Sequence, residues 1–122
     1  MGQWEDAINY YQVVLDDWPD YEHAAVAQAA IGWSYEALVH RGKLTKEQAG
    51  PLIEQAYSAV LEKYADSPYA DDAAIKLAEM SIERGDNTAA AGYYRVFLDR
   101  ASPDNPNIAG VKAKLEKLEG GR

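Results

Sequence analysis

The sequence predicts an all-α fold built from stacked antiparallel helical hairpins, and three observations point to it. Apolar residues recur at intervals of three and four, as in Ala7, Tyr11, Val14, Leu15 and Trp18 and again in Ile53, Tyr57, Val60, Leu61 and Tyr64. Stop and start signals separate such runs, and no stretch shows the period-two alternation of a half-buried strand. Three segments also share one pattern: Ala7-x3-Tyr11-x3-Leu15, Ile53-x3-Tyr57-x3-Leu61 and Ala90-x3-Tyr94-x3-Leu98, with their tyrosines 46 and then 37 residues apart. In each, the small or branched residue lets a partner helix approach, the aromatic ring fills the gap between hairpins, and leucine continues the buried stripe.

These signals place helices over residues 3–18, 20–40, 51–65, 68–84, 87–101 and 106–118. Trp18-Pro19-Asp20 closes the first and Arg41-Gly42 the second. Thr45-x-x-Gln48 can cap a short helical turn, but Gly50-Pro51 argues against a helix running through it, so the third is expected to begin at Pro51. Ser67 is expected to cap the fourth, with Pro68 in its first turn. Gly85-Asp86 separates the fourth from the fifth, and Asn105-Pro106 opens the sixth in the manner of Ser67-Pro68. Ile31-Gly32 and Leu77-Ala78 each lie 16 residues beyond Leu15 and Leu61, so the spacing across that joint is constant. From Gly32 to Ile53 is 21 residues and from Ala78 to Ala90 only 12, which puts nine extra residues around positions 38–50. At the 16-residue spacing from Leu98 stands Lys114, with Leu115 one step on, so the last segment reads as a polar cap of the kind solenoids need for solubility.

Composition narrows the function. A hydrophobic content of 48% over 122 residues suffices for a packed core, and no apolar run approaches the roughly 18 residues that suggest a membrane span. With no cysteine there is no disulfide, thiolate metal site or thiol nucleophile. The net charge of −8 argues against nucleic acid and favours basic partners. The charge is uneven: residues 1–40 hold Glu5, Asp6, Asp16, Asp17, Asp20, Glu22 and Glu36 with no Lys or Arg, whereas Lys112, Lys114, Lys117 and Arg122 outnumber Glu116 and Glu119 from residue 107 on. Ends of opposite sign can attract each other between molecules.

No catalytic centre is expected. His23 and His40 lack a second histidine at metal-ligand spacing and read as ordinary surface or helix-end residues. Asp16-Asp17 and Asp71-Asp72 are adjacent pairs that diverge by about 100° on a helix and cannot work as an acid/base couple. Asp71-Asp72 instead suits the positive end of a helix dipole. Neither a phosphate-binding glycine loop nor a Gly-x-Ser-x-Gly elbow is present, so no cofactor and no metal are expected. Trp4, Tyr11, Tyr57, Tyr64 and Tyr94 are core by spacing.

The segment Gly2-Gln3-Trp4-Glu5-Asp6-Ala7-Ile8-Asn9-Tyr10-Tyr11, running on to Leu15 and Pro19, resembles the second helix of a tetratricopeptide repeat with its closing proline. Ile31-Gly32-Trp33-Ser34-Tyr35 is similar to the Leu-Gly-x-x-Tyr of that family's first helix, with Ile for Leu. The run Tyr64-Ala65-Asp66-Ser67-Pro68-Tyr69-Ala70 further resembles repeats of bacterial envelope proteins, such as the lipoproteins of outer-membrane assembly and the Tol-Pal periplasmic component. The resemblance covers residues 2–103. It implies a right-handed superhelix of two and a half to three hairpins, forming a single domain that binds a protein or peptide partner and, on the envelope likeness, favours a periplasmic setting. It also implies that the chain starts with the second half of a repeat, as a piece of a longer protein would, leaving an apolar face open at Trp4, Ile8 and Tyr11.

In that family the residue after the small one faces the concave groove. Carried over, the groove wall comprises Ala29, Trp33, Glu36 and Ala37 from one hairpin and Asp72, Ile75, Glu79, Ile82 and Glu83 from the next. An apolar strip bearing carboxylates suits a helix or extended peptide carrying Lys or Arg. Two alternatives stand beside this. Trp33 can instead pack under the nine-residue insertion, and the open terminal helix can drive homo-oligomerisation.

Overall fold

A computed structural model of the protein describes residues 3–20 and 22–120. Its regular elements are α1 (Gln3–Asp17), α2 (Ala24–His40), α3 (Lys46–Lys63), α4 (Tyr69–Glu83), α5 (Asn87–Arg100) and α6 (Ile108–Gly120), with no strand among the described residues. The expected all-α fold of helices packing in adjacent pairs is therefore observed, consistent with an α-α solenoid. The chain forms two compact units, one ending at Tyr69 and the other beginning at Ala70.

In the first unit α2 packs against both α1 and α3. Its sequence explains how: Ala24, Ala27, Ala29, Ala30, Ile31 and Leu38 are all buried, so the helix is apolar on more than one side, as an element covered from two directions must be. Ile8 and Leu15 of α1 and Ala56 of α3 join it in one cluster, against which Trp4, Tyr11, Val14, Tyr35, Leu44 and Tyr64 pack. The buried side chains of Gln28 and Ser34 on α2 are both satisfied. Gln28 Nε2 donates to the Ala56 carbonyl at 3.2 Å, and Ser34 Oγ to the Ala30 carbonyl at 2.8 Å.

The turns follow from single residues. Gly42 has φ 75° and donates to the Val39 carbonyl at 3.0 Å, while Lys43 N–H reaches the Leu38 carbonyl at 2.8 Å. Gly85 has φ 81° and donates to the Ile82 carbonyl at 2.9 Å, with Asp86 N–H on the Ser81 carbonyl at 2.8 Å. Both are paired Schellman closures, in which glycine enters the left-handed region that side-chain-bearing residues avoid. Asp86 then caps α5 by accepting from Ala89 N–H at 3.0 Å.

Four helix starts differ from expectation, the second falling at Ala24 instead of residue 20. The third helix begins at Lys46 and runs straight through Pro51. Thr45 and Gln48 form a full capping box, Gln48 N–H donating to Thr45 Oγ1 at 3.0 Å and Thr45 N–H to Gln48 Oε1 at 2.9 Å, so the helix is already nucleated when the proline arrives. Pro51 leaves only the Glu47 carbonyl without its helical donor, and Glu47 is exposed to water. Glycine before proline also removes the Cβ that would crowd the ring. The fourth helix begins at Tyr69, and the Ser67 hydroxyl is buried without a partner instead of capping it. The last begins at Ile108, because Asn105 Oδ1 accepts from Asn107 N–H at 2.8 Å in a turn that precedes the helix.

The nine-residue insertion is taken up mostly as helix. Beyond Gly32, α2 continues for eight residues, whereas α4 continues for five beyond Ala78; the connecting turn is five residues in place of three; and α3 starts seven residues before Ile53, whereas α5 starts three before Ala90. Thr45→Ala should accordingly lower stability by about 0.5–2 kcal/mol, measured by urea denaturation. An unchanged midpoint would show that α3 does not depend on its cap.

In the second unit Ala70, Ala73, Ala74, Leu77 and Ala78 of α4 are buried, as are Ala90, Ala91, Tyr94 and Phe97 of α5 and Val111 of α6. α5 and α6 pack together, and Arg95 pairs with Glu119 between them. Asp71 and Asp72 occupy the first turn of α4, as the dipole argument requires.

Candidate partner-binding surfaces

The repeated tyrosine does what its spacing predicts and more. Tyr57 is 2% exposed and lies over Gly32: a Cβ at Gly32 would stand 2.6 Å from Tyr57 Cε1 and 2.8 Å from Cζ. The small residue is thus a seat for the ring. The Tyr57 hydroxyl donates to the carboxylate of Glu36, one helical turn beyond Gly32. Glu36 was legible only as a groove residue; its position four after the small residue, under the ring's outer edge, was the available signal of this second role.

The other expected first-unit residues lie on the same helix. Ala29 is buried and offers no contact surface, Ala37 is half-buried, and Trp33 is 43% exposed. Trp33 sets its ring edge-to-face against Tyr69, with centroids 6.0 Å apart. On α1, Ile8 is buried and Trp4 and Tyr11 pack against the core, so the apolar face expected to be open there is largely occupied by α2. The large apolar side chains that α1 leaves exposed are Tyr10 and Val13. Tyr64 donates to the Pro19 carbonyl at 3.0 Å, and burial, then the charge of Asp20, raise its hydroxyl above the ordinary value of 10.0.

In the second unit Asp72, Glu79, Ile82 and Glu83 are exposed and Ile75 is half-buried, all on α4. The structure adds what the sequence did not suggest, a pocket of about 590 Å³ lined by Glu79 and Ile82 of α4, Asn87 and Tyr94 of α5, and Lys114, Lys117 and Leu118 of α6. Tyr94 stands where Tyr57 stands in its own repeat, and Ala78 where Gly32 does. The residue one turn beyond Ala78 is Ile82, where the first unit has Glu36. Tyr94 is fully buried and its hydroxyl has no hydrogen-bond partner. Burial, then the charge of Glu79, raise it above 10.0. Its contribution to stability is therefore whole below pH 10 and is lost as pH rises through the folded value.

His23 and His40 are both exposed, and His23, at the head of α2, makes no side-chain cap. Among the described residues no three His, Cys, Asp or Glu side chains converge as metal ligands, and no helix is long and apolar enough to cross a membrane.

Residues 1–21 match a family model described as the tetratricopeptide repeat, the stretch likened above to the second helix of such a repeat. No curated protein and no solved structure gives a match. Repeats of this type mediate protein–protein interaction and serve as non-catalytic scaffolds.

Proposed function

We propose that the chain is a protein-interaction module without catalysis of its own, whose α2 and α4 surfaces hold basic segments of a partner. The observation that carries this reading is Trp33, a large aromatic left 43% exposed on a helix whose other large apolar side chains are covered. Rigid, half-exposed aromatics are favoured anchors at interfaces, since they bury much area at small entropic cost. Trp33 stands one turn before Ala37 and three residues from Glu36, so an arriving Lys or Arg finds an apolar wall and a carboxylate together. The α4 surface repeats the combination with Ile82 beside Glu79 and Glu83, and with Asp72 and Ile75 nearer its start. The envelope likeness of residues 64–70 directs the search for this partner to cell-envelope proteins first.

A Lys/Arg-rich peptide titrated into the protein tests the reading. Trp33→Ala should weaken binding by about tenfold or more, as loss of an anchor does, and joint Glu79→Lys and Glu83→Lys replacement should weaken it further while leaving stability within roughly 0.5 kcal/mol. Retention of full affinity in both variants sinks the proposal. A second reading, self-assembly, is favoured by the exposed Tyr10 and Val13 on acidic α1; light scattering across salt concentrations would then show a salt-sensitive oligomer.

A further inference from the structure

We propose that the outer face of α1 docks on α6 of a second copy of this chain, with Tyr10 and Val13 settling over Gly110 and Ala113 and Asp17 pairing with Lys117. This contact is a form of the self-assembly favoured above by Tyr10 and Val13, and rests on it. α1 packs Trp4, Ile8, Tyr11 and Leu15 into the core it shares with α2, which leaves a second stripe on its far side. Asp6, Tyr10, Val13 and Asp17 follow one another at steps of four, three and four, so they share that side, and all are exposed. Tyr10 is 65% and Val13 52% exposed, so a large apolar area stands in water between two carboxylates. The Tyr10 ring leans edge-to-face on Tyr11, with centroids 5.7 Å apart, and is thereby held ready for a partner.

Charge selects the occupant. α1 carries Glu5, Asp6, Asp16 and Asp17 and no basic residue, so a second α1 is repelled. α6 carries Lys112, Lys114 and Lys117 against Glu116 and Glu119, and Glu119 is already paired with Arg95. Shape agrees with charge. α6 buries Val111 and half-buries Leu115 and Leu118, so Gly110, Ala113 and Lys117 lie on its exposed side. Gly110-x2-Ala113-x3-Lys117 repeats the spacing of Tyr10-x2-Val13-x3-Asp17. With the two helices side by side, each large residue meets a small one and the carboxylate meets the ammonium. A Cβ built on Gly110 meets nothing within 4 Å among the described residues, so the glycine costs α6 helix propensity without serving any contact of its own chain. A close approach from outside gives it a use, and the first unit shows the same pairing internally, where the Tyr57 ring lies over Gly32.

Sedimentation equilibrium of the full chain tests the contact. The wild type should self-associate at low ionic strength and lose about tenfold or more of its affinity in salt of about 0.5 M. Two double variants, all at exposed positions that the fold tolerates, then separate the faces: Tyr10→Ser with Asp17→Lys on α1, and Gly110→Gln with Lys117→Glu on α6. Each alone should stay monomeric. Mixed in equal amounts they should form a dimer and nothing larger, because the first keeps an intact α6 and the second an intact α1. Gly110→Gln alone should weaken association about tenfold or more while raising the unfolding midpoint in dilute solution, which a folding defect would lower. A wild type that stays monomeric at low salt, up to the highest concentration measured, overturns this contact and the self-assembly reading together. A wild type that associates overturns the α1–α6 contact alone if either double variant associates equally well, or if the mixture of two monomeric variants stays monomeric.

Discussion

Tyr57→Ala is expected to lower stability by about 3–5 kcal/mol, the range for removing a fully buried large aromatic. Three losses combine. The ring's apolar surface, only 2% exposed in the native protein, returns to water. The space above Gly32 becomes a cavity that glycine, lacking a side chain, cannot refill. Glu36, itself half-buried, loses the hydroxyl that donates to it. Urea denaturation followed by circular dichroism would report the change as a fall in midpoint. A loss below about 1 kcal/mol would mean that the ring is not the wedge its burial indicates.

Gly32→Ala should also destabilise the protein, by about 1–2 kcal/mol, although helix propensity argues the other way. Alanine inside a helix is worth up to about 1 kcal/mol over glycine. Against that, the new methyl would lie 2.6, 2.8 and 3.1 Å from three atoms of the Tyr57 ring. These are ring atoms in a buried side chain, tied at its far end to Glu36, so the ring cannot swing clear without giving up its hydrogen bond. Overpacking of this kind costs about 1–3 kcal/mol and wins. Gly92→Ala in α5 is the control: nothing lies within 4 Å of its added Cβ, so propensity should act alone and raise stability by about 0.5–1 kcal/mol. If both substitutions stabilise equally, Gly32 is not a seat for the ring.

The hairpins were legible because their signals are local. A glycine after the last apolar turn, at Gly42 and Gly85, ends a helix through its own backbone freedom, and the recurrence of Tyr57 and Tyr94 on one pattern marks rings that fill the same gap. The start of α3 was misjudged because two local rules competed at one place. Gly50-Pro51 breaks helices in isolation, yet the Thr45-Gln48 capping box had already formed one, and a single missing donor facing water was too small a loss to end it. Ser67 failed as a cap for the complementary reason: a good capping residue acts only if the helix starts beside it, and α4 starts at Tyr69. On α1, Trp4, Ile8 and Tyr11 were expected to lie open, but α2 covers them and leaves Tyr10 and Val13 outside.

Of the candidate surfaces, the likeness to the tetratricopeptide repeat was enough to mark Trp33 and the α4 carboxylates as outward-facing, and they are exposed. It could not show that Ala29 is buried or that Glu36 is engaged by Tyr57, since both depend on which residues of another helix lie opposite. The pocket was still further from reach. Lys114 was visible as a polar residue at an apolar position, but its meaning required α6 to bring it beside a tyrosine 20 residues earlier in the chain. The sequence by itself determined that this protein is a set of helical hairpins and which aromatic rings wedge them, because periodicity and caps act within a few residues. Only the tertiary structure decided that the Tyr57 hydroxyl has an acceptor and the Tyr94 hydroxyl has none, because hydrogen-bond satisfaction in a core is settled by neighbours that the chain brings together only on folding.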